Sequence, residues 1–130
     1  MRRLAVAFSL LVPMLFAIAA CGEHPASPSF VVFFSDFSST LDAPAQGAVS
    51  AAAKWATKHQ GPVVVIGYAD PNGSPAAAYD MSHARAQAVV DQLIRDGVAA
   101  SRITKEARGS TDYTLSSQES RRVEIRILGG

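Results

Sequence analysis

A two-layer sandwich, with helices packed on a sheet in an α/β or α+β arrangement, is the fold class this sequence predicts. Apolar runs with strand chemistry alternate with two long helical segments, in the order β-α-β-α-β-β. The composition suits a packed core: 48% of residues are hydrophobic, 18% are charged, and no tract is of low complexity. At 130 residues the chain has room for one small domain.

The first strand is read at Phe30–Phe34. It is apolar on both parities and is therefore expected to be a central strand covered on both faces. Ser35 to Asp42 is a polar loop. A helix is expected from Ala43 or Pro44 to His59, with proline suited to its first turn and Val49, Ala52, Ala53 and Ala56 on its apolar side. Trp55, the only tryptophan, is expected to cover the edge of the core. Gly61-Pro62 closes that segment, and Val63–Tyr68 forms the second strand. The second helix is expected from Pro75 or Ala78 to Arg95. Met81, Ala84, Ala88, Val89 and Leu93 make its core face, and Asp96-Gly97 its C-terminal cap. After a short turn, Ile103–Arg108 is a more polar strand expected at an edge, followed by a polar loop over Gly109–Ser120. Arg122–Leu128 alternates strictly, so Val123, Ile125 and Ile127 face inward from the last strand. No internal repeat is visible.

The N-terminus carries the pattern of a targeting segment. Met1-Arg2-Arg3 is basic, and Leu4 to Ala20 is apolar apart from Ser9 and Pro13. This run is short for a membrane span, which takes about 20 residues. Cys21, the only cysteine, follows Ile18-Ala19-Ala20, and this junction resembles a bacterial lipobox. The resemblance implies cleavage before Cys21 and its acylation, with Gly22 favouring delivery to the outer membrane. Ala17-Ile18-Ala19 also satisfies a conventional cleavage site, which would leave Cys21 a free thiol. A single cysteine permits no intramolecular disulfide. The expected organisation is a signal peptide over 1–20, a lipidated N-terminus and short linker over 21–29, and a folded domain over 30–130. The linker residues Gly22–Ser29 reach at most about 28 Å when extended, which holds the domain near the membrane.

The candidate site lies where the second strand breaks. Val63–Ile66 leads into Gly67, Asp70 stands at the strand exit, and the chain turns through Pro71-Asn72-Gly73. Ser74-Pro75 then reads as an N-cap and first helical position. Arg85 is on the helix that follows, and the opposite charges can converge. Such a pair suits a ligand with an ammonium and a carboxylate, or else forms a direct salt bridge that pins the loop to the helix.

The run Gly67-Tyr68-Ala69-Asp70, Gly73, Met81-Ser82-His83-Ala84-Arg85-Ala86, then Gly97, Gly109 and Arg121-Arg122-Val123-Glu124-Ile125 resembles the OmpA-like C-terminal domain family. That family includes the domain of outer-membrane protein A and of peptidoglycan-associated lipoproteins. The resemblance covers about residues 30 to 128. It implies an α+β, two-layer sandwich with a mixed four-stranded sheet and two long helices. It also implies non-covalent binding of peptidoglycan through the diaminopimelate of its stem peptide. Asp70 would accept from the ammonium and Arg85 would clamp the carboxylate. Asn72, Asp36 and Arg121 are further candidates for the ligand site. Four positions depart from the family pattern. Ala69 stands for a usual threonine and Ala78 for a usual asparagine. Phe37 occupies the place of an acid or amide, with Asp36 adjacent to substitute for it. Ser120 stands for an asparagine. These departures predict weaker binding than in a full-motif member.

Other classes fit less well. The whole chain carries a net charge of +1, and loss of Arg2 and Arg3 leaves 10 basic against 11 acidic residues, so no general nucleic-acid binding is expected. Ser82 and His83 are neighbours on a helix and point apart, and no nucleophile elbow is present, so no enzyme is expected. His24, His59 and His83 lack metal-ligand spacing, and no phosphate-binding glycine loop occurs, so neither metal nor cofactor is expected. The expected partners are peptidoglycan, the outer membrane through the lipid anchor, and periplasmic or outer-membrane proteins. The competing reading is an envelope protein-interaction module that has lost most of its peptidoglycan binding.

Overall fold

The computed structural model describes residues 27–71, 73–110 and 117–129. The signal segment, Cys21, His24 and Asn72 lie outside the described residues. The elements run β1 (Ser29–Phe33), α1 (Ala43–Lys58), β2 (Val63–Ala69), α2 (Pro75–Arg95), a 3-10 turn at Ala100–Arg102, β3 (Ile103–Ser110), a short α3 (Ser117–Ser120) and β4 (Arg122–Ile127). The sheet order is β1-β4-β2-β3. β4 is antiparallel to both β1 and β2, while β3 is parallel to β2. The sheet is therefore mixed, as expected, and β3 is at an edge.

Both helices pack on one face. The core joins Val49, Ala52, Ala53 and Ala56 of α1 and Ala86, Val89 and Leu93 of α2 to Val32, Val63, Val65, Val123, Ile125 and Ile127 of the strands. The alternation in β4 is thus obeyed residue by residue. Ile66 and Tyr68 are also buried but belong to the other face, by the two-residue period of a strand. Ile66 is flanked there by Glu106 and Glu124 in register, and the Arg122 guanidinium lies 4.0 Å above the Tyr68 ring.

The helix ends follow local chemistry. Asp42 caps α1, its carboxylate accepting from the Ala45 N–H at 2.8 Å, and Ser74 caps α2 by accepting from Ala77 at 3.1 Å. Each cap contributes about 1 kcal/mol. At the far end of α2, Gly97 takes φ +102°. Its N–H reaches the Ile94 carbonyl while Val98 reaches Leu93, a Schellman closure.

Four expectations need correction. β1 is an edge strand, not a central one: β4 inserts between β1 and β2, and Val31 and Phe33 face solvent. Ala84 is exposed and Met81 only half-buried, because the buried line of α2 runs through Ala78, Ser82, Arg85, Ala86, Val89 and Leu93. Trp55 does not seal the core but stacks on His59, ring centroids 4.0 Å apart, on the outer side of α1. The loop expected over Gly109–Ser120 begins later, since β3 runs to Ser110, and it ends in the helical turn α3.

Candidate functional site

One end of the sheet gathers the C-terminal ends of β1, β2 and β3, the start of α2 and the start of β4. Two local features shape this end. Gly67 lets α2 rest on the backbone of β2: a Cβ there would lie 2.1 Å from the Ser82 carbonyl oxygen. Beyond Gly67 the β2–β3 register shifts by one residue, with Gly67 opposite Ala107 but Ala69 opposite Ser110. The extra residue lies in β3, next to Gly109. Ser82, fully buried, ties these parts together. Its hydroxyl donates to the Tyr79 carbonyl and accepts from the Gly109 N–H at 2.9 Å.

Asp70 leaves the sheet at this end, and Arg85 comes down onto it from α2. Both line a pocket of about 120 Å³ whose other walls are Phe37, Ala69, Ala77, Ala78 and Met81. The pocket is therefore apolar in its walls and doubly charged, with one group of each sign. Arg85 and Asp70 form no direct ion pair among the described residues. Arg85 is instead held by backbone: Nε donates to the Ser38 carbonyl at 2.9 Å, Nη1 to Tyr68 at 3.3 Å and Nη2 to Ser35 at 3.2 Å. It is 2% exposed, and its guanidinium lies 5.5 Å from the centre of the Phe34 ring. Burial pulls its pKa below the usual arginine value. The Asp70 carboxylate opposes that shift, Arg121 adds to it, and Asp36 opposes it further. An arginine so shifted still carries its charge. Its fork has further N–H groups to offer a carboxylate.

Asp70 meets a different cation. Its Oδ2 lies 3.5 Å from Nη1 of Arg121, while its Oδ1 is buried and has no hydrogen-bond partner among the described residues. The same Arg121 nitrogen lies 2.7 Å from Oδ1 of Asp36, and Nε donates to the Phe34 carbonyl at 3.1 Å. A buried carboxylate oxygen without a donor is costly, at about 1–3 kcal/mol, and marks where a ligand donor gains most.

Of the expected site residues, the fold brings Asp70 and Arg85 into one pocket and places Arg121 beside Asp70. Asp36 is adjacent but does not line the pocket; it points to Arg121 and is largely exposed. Asn72 and Cys21 lie outside the described residues. Phe37, which stands where the family pattern has a polar residue, does line the pocket, in a left-handed conformation with φ 51°. Sequence reasoning missed the apolar walls Ala77 and Met81, and the carbonyls of Ser35 and Ser38 that hold Arg85. The signal that could have found Arg85's burial is the helical spacing of Ala78, Ser82, Ala86 and Val89, whose line runs through Arg85.

Residues 33–126 match the OmpA family. Outer membrane protein A of Serratia odorifera is 36% identical over an alignment of 85 residues, with 53% of this chain and 35% of that protein covered. The chain thus matches only about a third of that relative's length. The crystal structure of the peptidoglycan-associated lipoprotein from Burkholderia pseudomallei superposes with a TM-score of 0.66 at 21% identity, covering 75% of this chain and 88% of that one. The cell wall anchor of the T6SS from Pseudomonas aeruginosa superposes with a TM-score of 0.64 at 26% identity, covering 78% and 81%. With the mixed sheet, the Asp70–Arg85 pocket and the Arg121-Arg122 strand in place, the chain belongs to the OmpA family.

Proposed function

We propose that this chain is an outer-membrane lipoprotein whose periplasmic domain binds peptidoglycan non-covalently, through a free diaminopimelate centre, and so tethers membrane to wall. It acts as a binding protein, not an enzyme. The observation that carries this reading is the pocket shared by Asp70 and Arg85, where a buried carboxylate oxygen waits for a donor and a guanidinium for an acceptor. A free diaminopimelate centre bears an ammonium and a carboxylate on one carbon. A lysine side-chain end lacks the carboxylate, and a terminal alanine carboxylate lacks the ammonium. The alanines, Met81 and Phe37 suit the aliphatic arm that follows such a centre.

The direction of the chain supports a tether. Ser29 pairs with Arg126 and Pro28 accepts from Ile127, whereas the other end of the same ladder, at Phe34 and Arg121, is the pocket end. A chain anchored at Cys21 thus meets the domain at the end remote from the pocket. The relatives, an outer membrane protein, a peptidoglycan-associated lipoprotein and a cell wall anchor, agree with this reading.

Co-sedimentation with purified sacculi is the test. The wild-type protein should be retained, and the Asp70→Ala and Arg85→Ala variants should be lost. Absence of wild-type retention, or equal retention of all three, overturns the proposal. Labelled palmitate should enter the wild-type chain and not Cys21→Ser. A second reading, an envelope protein-interaction module, is favoured by the open edge of β1 with its exposed Val31 and Phe33. Cross-linking in cells that yields protein adducts without wall association would select it.

A further inference from the structure

Arg121 is shared between two carboxylates through a single nitrogen. Nη1 is 2.7 Å from Asp36, an ion pair at contact distance, and 3.5 Å from Asp70, a looser one. Its Nε is fixed on the Phe34 carbonyl, so the guanidinium cannot leave this corner and can only lean toward one acid or the other. The lean is toward Asp36. Asp70 keeps one oxygen facing Arg121 at Coulombic range and the other without a hydrogen-bond partner among the described residues. Asp36 itself stands outside the pocket, one residue before the wall residue Phe37.

Among the described residues, the charged groups that act on Arg85 and Arg121 here are Asp36 and Asp70, so this cluster of four sums to neutrality. A ligand with both an ammonium and a carboxylate leaves that balance unchanged. Without the Asp36 charge this cluster becomes net positive, and of the two acids described on Arg121 only Asp70 is left. The cation would then occupy Asp70 and repel an incoming ammonium, while an incoming carboxylate would still find Arg85, now in a more positive field.

We propose that Asp36 is a positioning residue for this pocket: by holding Arg121 it keeps that cation off Asp70 and tunes the site to a ligand that carries an ammonium as well as a carboxylate. This rests on the functional reading above.

Calorimetric titration of the detergent-solubilised full chain tests it. The two probes are a stem tripeptide ending in meso-diaminopimelate and the same peptide whose free centre lacks the amine but keeps the carboxylate. Asp36→Asn should weaken binding of the first peptide about fivefold or more, while leaving the second unchanged or tighter. Adding Arg121→Gln to Asp36→Asn should restore the first peptide toward wild-type affinity, which a merely structural role for Asp36 would not do. If Asp36→Asn binds the diaminopimelate peptide as wild type does, or if Arg121→Gln gives no restoration, the role of Asp36 falls and the site remains. If the wild-type chain binds neither peptide, the functional reading falls and this role with it. Asp36 is 67% exposed, so the substitution is expected to leave folding intact, and thermal unfolding checks that.

Discussion

Arg85 and Arg102 sit at opposite ends of the sandwich and are bonded alike, each donating to three backbone carbonyls. Arg102 reaches Ala56, His59 and Gly61 at 2.7, 2.8 and 3.0 Å, closing the C-terminal end of α1. Its cation meets the negative end of a helix, the electrostatic arrangement expected of a structural cap. Arg85 reaches Ser35, Ser38 and Tyr68, which belong to a loop and a strand end. What separates them is the neighbourhood. Arg85 is nearly inaccessible, opens onto a pocket and shares it with Asp70. The bonding pattern of an arginine is thus a poor guide to its purpose. An acid that is near, unpaired by it and exposed to the same cavity is a better one.

The contrast can be broken by substitution. Arg85→Ala should have the largest effect. It strands three carbonyls and empties a buried volume, costing about 3 kcal/mol or more in denaturant unfolding, and it should abolish retention on sacculi. A variant that loses stability yet keeps its retention would make Arg85 no more than a second Arg102. Gly67→Ala comes next. Its new methyl would meet the Ser82 carbonyl, so about 2–3 kcal/mol should be lost and retention should fall as α2 lifts Arg85 away from Asp70. Arg102→Ala should cost about 1–2 kcal/mol and leave retention unchanged, because its carbonyls lie far from the pocket. A loss of wall binding there at full stability would refute the division between the two ends. Phe37→Gly is the mildest. Relief of a left-handed backbone should offset the added chain entropy, so the unfolding midpoint should hold or rise by up to about 1 kcal/mol equivalent. Retention on sacculi should fall slightly as one apolar wall is lost.

Much of the fold was legible because its periods are local. The strict alternation of Val123, Ile125 and Ile127 gave their facing directly, and Pro44, Ser74, Pro75 and Gly97 punctuated both helices where the structure has them. The apolar run of β1 misled because an edge strand with Val31 and Phe33 outward looks, in sequence, like a strand buried on both faces. Its place was decided by β4, which arrives from the far end of the chain to lie between β1 and β2. Met81 misled for a related reason: helical spacing marks a buried stripe but not where that stripe overhangs a pocket.

The sequence by itself determined the element order, the helix caps, and the spacing that sends Asp70 and Arg85 to a common end. These depend on dihedral preference, residue period and turn chemistry, which act over a few residues. The tertiary structure alone decided that Arg85 is held by backbone carbonyls and not by Asp70, and that Arg121 divides between Asp36 and Asp70 with the nearer contact to Asp36. Those choices depend on differences in distance of under an ångström between groups up to 85 residues apart in sequence, Asp36 to Arg121. No local rule carries such distances, because they are set only when the sheet has closed with β4 inside it.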